Sequence, residues 1–263
     1  MKELTSLPIA QGRTAEVYDW DSEHVLKLYL EWCPSDWVDY EARIARAVYE
    51  AGVPSPAAGE IVEVNGRSGL IYERLEGISM LQDLNARPWT FLKHARDLAE
   101  LHVKINQLSI EELPSYKDGL GYSIRRAPHL SDDLRAKALA LLETLPDGSN
   151  VCHGDYHPGN VLITKHGLVT IDWMTAKAGS RWADVSRTSL LLSIGAKSAG
   201  TQVRLAVRIL VGLFHRRYLT RYKALTPDSG EELNRWTPVT AAARLHEDIA
   251  PEREALIRMV AEG

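Results

Sequence analysis

The chain has 263 residues, 45% hydrophobic and 25% charged, enough for one large domain or two modest lobes around a substantial core. A net charge of -4 offers no footing for nucleic acid, and the two cysteines, Cys33 and Cys152, are too far apart for a metal or disulfide spacing. No stretch reaches the roughly 18 uncharged apolar residues that span a bilayer, and MKELTSLPIAQGRTAEV at the start holds no signal-like apolar run. The expectation is a soluble, cytoplasmic protein with no membrane or nucleic-acid partner; the oligomeric state stays open.

In chain order, TAEVYDW and HVLKLYL alternate in polarity, are rich in β-branched and aromatic residues, and meet at Asp21-Ser22. They predict a hairpin. IVEV and RSGLIY flank Asn65-Gly66, the strongest short hairpin signal, because both turn residues must accept positive φ. Between the pairs, DWVDYEARIARAVYEAGVP predicts a helix capped by Asp36, with Trp37, Tyr40, Ile44, Val48 and Ala51 on one face and Gly52 and Pro54 at its end. With LPIA near the start, residues 1–76 are read as about five antiparallel strands and one helix.

From 77 onward the pattern becomes helical. RPWTFLKHARDLAELHVKIN starts with Pro88 near its first position and carries Leu92, Ala95, Leu98, Ala99 and Ile105 on one face. Residues 131–145 predict a second helix with Ser131 as cap, and long helices after 173 are expected to break at Pro227 and Pro238 and restart at Pro251. The basic residues in RLAVRILVGLFHRRYLTRYK recur at helical spacing and read as a solvated face. The whole is an α+β, two-lobed layout: an antiparallel-sheet N-lobe over 1–76 and a larger helical C-lobe over 77–263.

Residues 151–173 interrupt that C-lobe. HGDYHPGN is followed by VLIT, KHG and LVTI, two β-rich runs around a short turn, and then by Asp172. If Thr164 faces Leu168, the pairing carries back to Asn160 opposite Asp172, with Cβ atoms about 5 Å apart. Two oxygen-bearing side chains at that spacing suit a hard cation such as Mg²⁺. Asp155 lies five residues before Asn160, in a loop kept out of helix because His157 precedes Pro158.

An Asp five residues before an Asn, with a second Asp after a short hairpin, is the phosphoryl-transfer arrangement of kinases: a base for the hydroxyl proton, then two ligands for Mg²⁺ on the ATP phosphates. Such chemistry needs charge neutralisation and alignment more than a nucleophile. It also needs a strand Lys and a helix Glu, for which Lys27 and Glu41 stand in the right order, Glu41 at the margin of the apolar helix face. In QGRTAEVY, Gly12 and the small residues after it, Thr14 among them, offer a turn that would close over phosphates. The competing reading is a metal-dependent phosphoesterase with His153, Asp155, His157 and Asp172 as ligands.

The segments GRTAEVY, VLKLY, HGDYHPGNVL and IDW-x-x-A-x-x-G, with Asp184 downstream, resemble the aminoglycoside phosphotransferase / choline kinase-like family of small-molecule kinases with a protein-kinase-like fold. The resemblance runs in order from about Gly12 to Asp184. It implies Asp155 as catalytic base, Asn160 and Asp172 as Mg²⁺ ligands, and Lys27 on the phosphates of ATP with Glu41 as its partner. It further implies a hinge around Glu73, Arg74 and Leu75 whose backbone binds adenine, and Asp184 as a brace for the catalytic loop. Gly154 stands where protein kinases have Arg, and Trp173-Met174 where they have Phe-Gly. Only eleven residues separate Asp172 from Asp184, which leaves no room for a long activation segment and favours a small hydroxyl substrate. A nucleotide-binding pseudokinase is the remaining alternative.

Overall fold

In a computed structural model of the chain, residues 7–198, 205–226 and 231–263 are described. They form two compact units, Met1–Ser79 with Leu162–Met174, and Met80–Val161 with Thr175–Gly263. In chain order, β1 (Ala10–Gln11), β2 (Ala15–Asp19) and β3 (His24–Tyr29) precede α1 (Asp36–Glu50), β4 (Ala58–Val64), β5 (Arg67–Glu73) and β6 (Gly77–Ser79). Then come α2 (Met80–Ala86), a 3₁₀ turn at Pro88–Thr90, α3 (Phe91–Asn106), α4 (Tyr116–Arg126), α5 (Asp132–Thr144) and β7 (Asn150–Cys152). A 3₁₀ turn at Pro158–Asn160 leads to β8 (Val161–Thr164) and β9 (Gly167–Thr170), followed by β10 (Lys177–Gly179) and α6 (Arg181–Ser198). The chain ends with α7 (Leu205–Leu225), α8 (Glu231–Arg244), 3₁₀ turns at Leu245–Glu247 and Ala250–Glu252, and α9 (Arg253–Glu262).

The first unit is built on an antiparallel sheet in the order β1-β2-β3-β5-β4. Asn65 and Gly66 take φ of 54° and 74° at the β4–β5 turn, the left-handed geometry the Asn-Gly pair favours. Side chains alternate faces along β3. Leu26 and Leu28 pack with Tyr18 and Val64 on one face. Tyr29 packs with Val38 and Ala42 of α1 on the other, together with Leu70. Lys27 shares the α1 face with Tyr29, and β3 lies between β2 and β5, so this lysine is not on an edge strand.

Helix α1 is rotated from its expected face. Val38, Glu41, Ala42, Ile44, Ala45 and Val48 are buried, while Trp37 and Tyr40 are only partly so. Glu41 therefore lies within the buried face and not at its margin, because the sheet supplies it with polar partners. Ser35, not Asp36, is the N-cap position, and Asp36 is the first helical residue.

A second sheet of this unit has the order β6-β8-β9, with Gly77 opposite Thr164 and Ser79 opposite Leu162. Residues 162–174 thus group with the N-terminal unit, where the division at 76/77 had put them with the helices; pairing to β6 and the Thr170 N–H bond to the Pro54 carbonyl (2.8 Å) hold them there. The β8–β9 turn is Lys165-His166, and Gly167 already opens β9. Asn160 precedes β8 and Asp172 follows β9, so the expected strand pairing of these two residues does not form.

The second unit is mainly helical, with β7 and β10 as a two-stranded antiparallel pair. In α3, Ala95, Leu98, Ala99 and Ile105 are buried as expected, but Leu92 is exposed because the first turn is the separate Pro88–Thr90 element. Ser131 caps α5, its hydroxyl accepting from the Leu134 N–H. Pro238 lies inside α8, buried among Trp236, Val239 and Ala241, and does not end it; packing on the neighbouring helices outweighs one missing N–H. Pro251 stands in the 3₁₀ turn before α9. Pro227 lies outside the described residues.

Candidate active site

In the first unit the residues meet on the α1 face of the sheet. Lys27 Nζ donates to both carboxylate oxygens of Glu41, at 2.8 and 3.0 Å, and to Asp172 Oδ1 at 2.8 Å. Glu41 is fully buried and also accepts from the Tyr29 and Tyr72 hydroxyls, the latter at 2.7 Å. A buried carboxylate is tolerable only when its lone pairs are filled and its charge is paired, and here both conditions hold. Burial lowers the affinity of Lys27 for its proton, but Glu41 and Asp172 outweigh it and hold the ammonium well above the usual lysine range.

Asp172 adopts φ 65°, a left-handed position that Asp tolerates, one residue before a buried Trp173 whose indole N–H donates to the Thr170 carbonyl at 3.0 Å. That anchor at the end of β9 turns Asp172 out of the strand. Its side chain is 47% exposed, so one oxygen engages Lys27 while the group stays accessible to solvent.

In the second unit the loop after β7 carries Asp155 and Asn160. Asp184, in the first turn of α6, is completely buried and accepts from the backbone N–H groups of His153 and Gly154, both at 2.8 Å. Its Oδ2 also lies 2.9 Å from His102 Nε2 and accepts from Asn106 Nδ2 at 3.2 Å. Burial works against its ionisation, but His102, the Gly154 N–H and His153 hold the carboxyl below its usual range. Behind it, His102 Nδ1 is 2.7 Å from the Tyr218 hydroxyl, and the ring stacks on Tyr156. Asp184 braces the loop, as expected.

Gly154 has φ 78°, and a Cβ there would stand 2.7 Å from the Thr175 carbonyl oxygen. A side chain there, the Arg of protein kinases included, would force the loop or the Thr175 carbonyl to shift. His153 Nδ1 accepts from the Asp155 N–H (3.2 Å), and His157 Nδ1 from the Gly159 N–H (3.0 Å). Asn160 Nδ2 donates to the Asp155 carbonyl at 3.0 Å, which fixes the amide plane and leaves its oxygen as the acceptor. Around the Asp155 carboxylate, His157 Nε2 and Arg187 Nη2 each stand at 3.6 Å. Burial would raise its proton affinity, yet His157, Arg187 and His153 together keep it ionised well below the usual carboxylate range.

The remaining candidates are backbone features. Gly12 and Thr14 form the three-residue turn between β1 and β2, where the Gly12 N–H donates to the Ala15 carbonyl (2.8 Å) and the Thr14 carbonyl accepts from the Leu30 N–H (2.9 Å). Glu73 ends β5, its N–H bonded to the Ala57 carbonyl at 2.9 Å, and Leu75 follows in the irregular stretch before β6.

The model of the phosphotransferase enzyme family matches residues 6–233. The chain belongs to that family. A search of curated proteins found no match. Among solved structures, an aminoglycoside-3'-phosphotransferase of type VIII is 20% identical, with a TM-score of 0.62 over 94% of this chain and 93% of its own. A thermostable mutant of aminoglycoside phosphotransferase APH(4)-Ia, in ternary complex with AMP-PNP and hygromycin B, is 17% identical with a TM-score of 0.63 over 96% and 93%. A choline/ethanolamine kinase family protein from Mesorhizobium loti is 13% identical with a TM-score of 0.64 over 99% and 90%. The expected kinship and two-lobed α+β fold class are thus borne out.

Sequence reasoning about this phosphotransferase missed Tyr29, Tyr72, His102 and Arg187. Tyr29 was within reach, since it stands two residues from Lys27 on the same strand face. Arg187 follows Asp184 by three residues on α6, but no local pattern marks it, and Tyr72 and His102 are brought in from other elements.

Proposed function

We propose that this phosphotransferase moves the γ-phosphoryl group of ATP to a hydroxyl of a small molecule, with Mg²⁺. The observation that carries the reading is Lys27, held charged between buried Glu41 and accessible Asp172, in a family of phosphotransferases. Lys27 binds the ATP phosphates, with Glu41 fixing its direction. Asp172 and the Asn160 amide oxygen hold Mg²⁺; two oxygen donors leave room for phosphate oxygens and water, as this cation prefers. The ion supplies positive charge against the triphosphate.

Asp155 receives the acceptor's proton. Its ionised carboxylate accepts the hydrogen bond of the acceptor hydroxyl, which orients it, and takes its proton as the transfer proceeds. The turn at Gly12 and Thr14 covers the phosphates, and the backbone around Glu73 and Leu75 receives adenine. The AMP-PNP bound by the APH(4)-Ia relative supports ATP as donor, and its hygromycin B, with the naming of the Mesorhizobium relative for choline and ethanolamine, supports amino sugars and amino alcohols as first acceptors to test. We further infer a cytoplasmic site of action; among the described residues no helix is long and apolar enough to cross a membrane.

A phosphoesterase reading needs His153 and His157 as metal ligands, but each already spends Nδ1 on a backbone N–H of its own loop. A pseudokinase reading gains nothing from the retained Lys27, Asp155, Asn160 and Asp172. The test is ADP formation from MgATP across a panel of aminoglycosides, amino alcohols and sugars. Acceptor-dependent ADP release is expected; nucleotide binding by calorimetry without turnover on any acceptor or on water would favour the pseudokinase.

A further inference from the structure

The loop carrying Asp155 has a second anchor besides Asp184, and it reaches beyond residue 233, where the family match ends. Arg187 stands three residues after Asp184 on α6, with 13% of its side chain exposed. Its Nε donates to the Gly154 carbonyl at 3.1 Å, and its Nη2 approaches Asp155 Oδ1 at 3.6 Å. The same Nη2 donates to Glu247 Oε1 at 2.5 Å, and Glu247 Oε2 accepts from Arg244 Nη1 at 2.6 Å. Arg244 in turn donates to both oxygens of the buried Glu252, at 2.8 and 3.1 Å. Charges alternate in sign through five side chains, from Asp155 to Glu252.

The geometry separates anchoring from contact. At 3.6 Å, Arg187 makes no direct hydrogen bond to Asp155 and attracts it through space, whereas its bonds to Gly154 and Glu247 are short. The guanidinium is thus tied to the loop backbone by one nitrogen and to the C-terminal segment by another, a planar two-point hold that lysine cannot copy. The segment itself is held in a defined shape. Asp248 takes the left-handed φ of 51° and is gripped by Arg253 at 2.9 Å and His129 at 3.2 Å.

We propose that Arg187 is the positioning residue of Asp155 and that Glu247, held by Arg244, fixes Arg187 in that role, so that the segment 244–252 sets the geometry of the transfer step. This rests on the reading of Asp155 as the group that receives the acceptor's proton. As a positioning residue Arg187 acts on kcat through Asp155, and its loss leaves the binding of MgATP alone.

The experiment uses the full chain, with ADP release from MgATP to water and to any acceptor found in the panel, and with backbone amide exchange over 153–157. Arg187→Met is expected to lower kcat by about 10–100-fold, the order of effect of a small misplacement of a catalytic group, with KM for MgATP within about twofold. Arg187→Lys should recover part of that loss, and Glu247→Gln, which keeps Arg187 but removes the charge that holds it, should lower kcat by a smaller factor. Combined with Asp155→Asn, Arg187→Met should add no further loss, and alone it should speed amide exchange in the loop. Arg187→Met with wild-type kcat beside an impaired Asp155→Asn, a multiplicative loss in the double variant, or unchanged exchange at 153–157 would each overturn the proposal. Asp155→Asn turning over at the wild-type rate would instead remove the reading of Asp155, and this assignment with it.

Discussion

Deleting the Lys27 side chain tests a balance that its sequence position concealed. A strand lysine facing a cleft would leave the fold intact when replaced, but Glu41 has no solvent to receive its charge. Lys27→Ala strands that carboxylate with only the Tyr29 and Tyr72 hydroxyls, so about 3 kcal/mol of stability should be lost along with ATP use. Urea unfolding measures it, and an unchanged midpoint would mean that the tyrosines suffice. Asp184 gives a pH-dependent case. Its folded proton affinity is depressed, so its contribution is present above the unfolded carboxylate range near pH 4 and is lost as pH falls through the lower folded value. Asp184→Asn should therefore unfold more easily at pH 7 and lose less further stability than the wild type on acidification. Parallel acid-unfolding curves for the two proteins would contradict this.

At the scale of elements, the loop between β7 and β8 depends on a residue with no side chain. Gly154→Ala combines a left-handed φ with an approach of 2.7 Å to the Thr175 carbonyl, and should cost more than about 1 kcal/mol and lower kcat by displacing Asp155. Wild-type thermal stability in that variant would show that the loop relaxes freely. Strands β2 to β5 were legible because Asn65-Gly66 and Asp21-Ser22 punctuate alternating runs. Helices α2 and α4 were not: one has seven residues, and the other carries Gly119 and Gly121. The Lys27–Glu41 pair was readable from a strand lysine followed by a helix glutamate, whereas the Asn160–Asp172 pairing read from the hairpin does not form. The orientation of α1 was not readable, because a periodicity count treats Glu41 as polar and cannot know that a lysine and two tyrosines await it. Nor was the start of β9, since Gly167 with φ 123° fits either a turn or a strand's first residue.

For the whole molecule, membership in the phosphotransferase family fixes the type of reaction, while relatives at 13–20% identity leave the acceptor open. The charge ladder from Asp155 to Glu252 was not legible in the sequence, because its members lie on the β7–β8 loop, α6, the end of α8 and two 3₁₀ turns and are joined only in three dimensions. The central claim is that Asp155 serves the acceptor while Asp172 serves the metal. The most direct measurement is kcat for Asp155→Asn and Asp172→Asn across a Mg²⁺ titration at saturating ATP. Asp155→Asn should lose about 10²–10⁴-fold at every Mg²⁺ concentration with ATP affinity nearly unchanged, whereas Asp172→Asn should recover activity as Mg²⁺ rises. Rescue of both variants by excess metal, with hydrolysis of phosphoesters in the absence of ATP, would contradict the account.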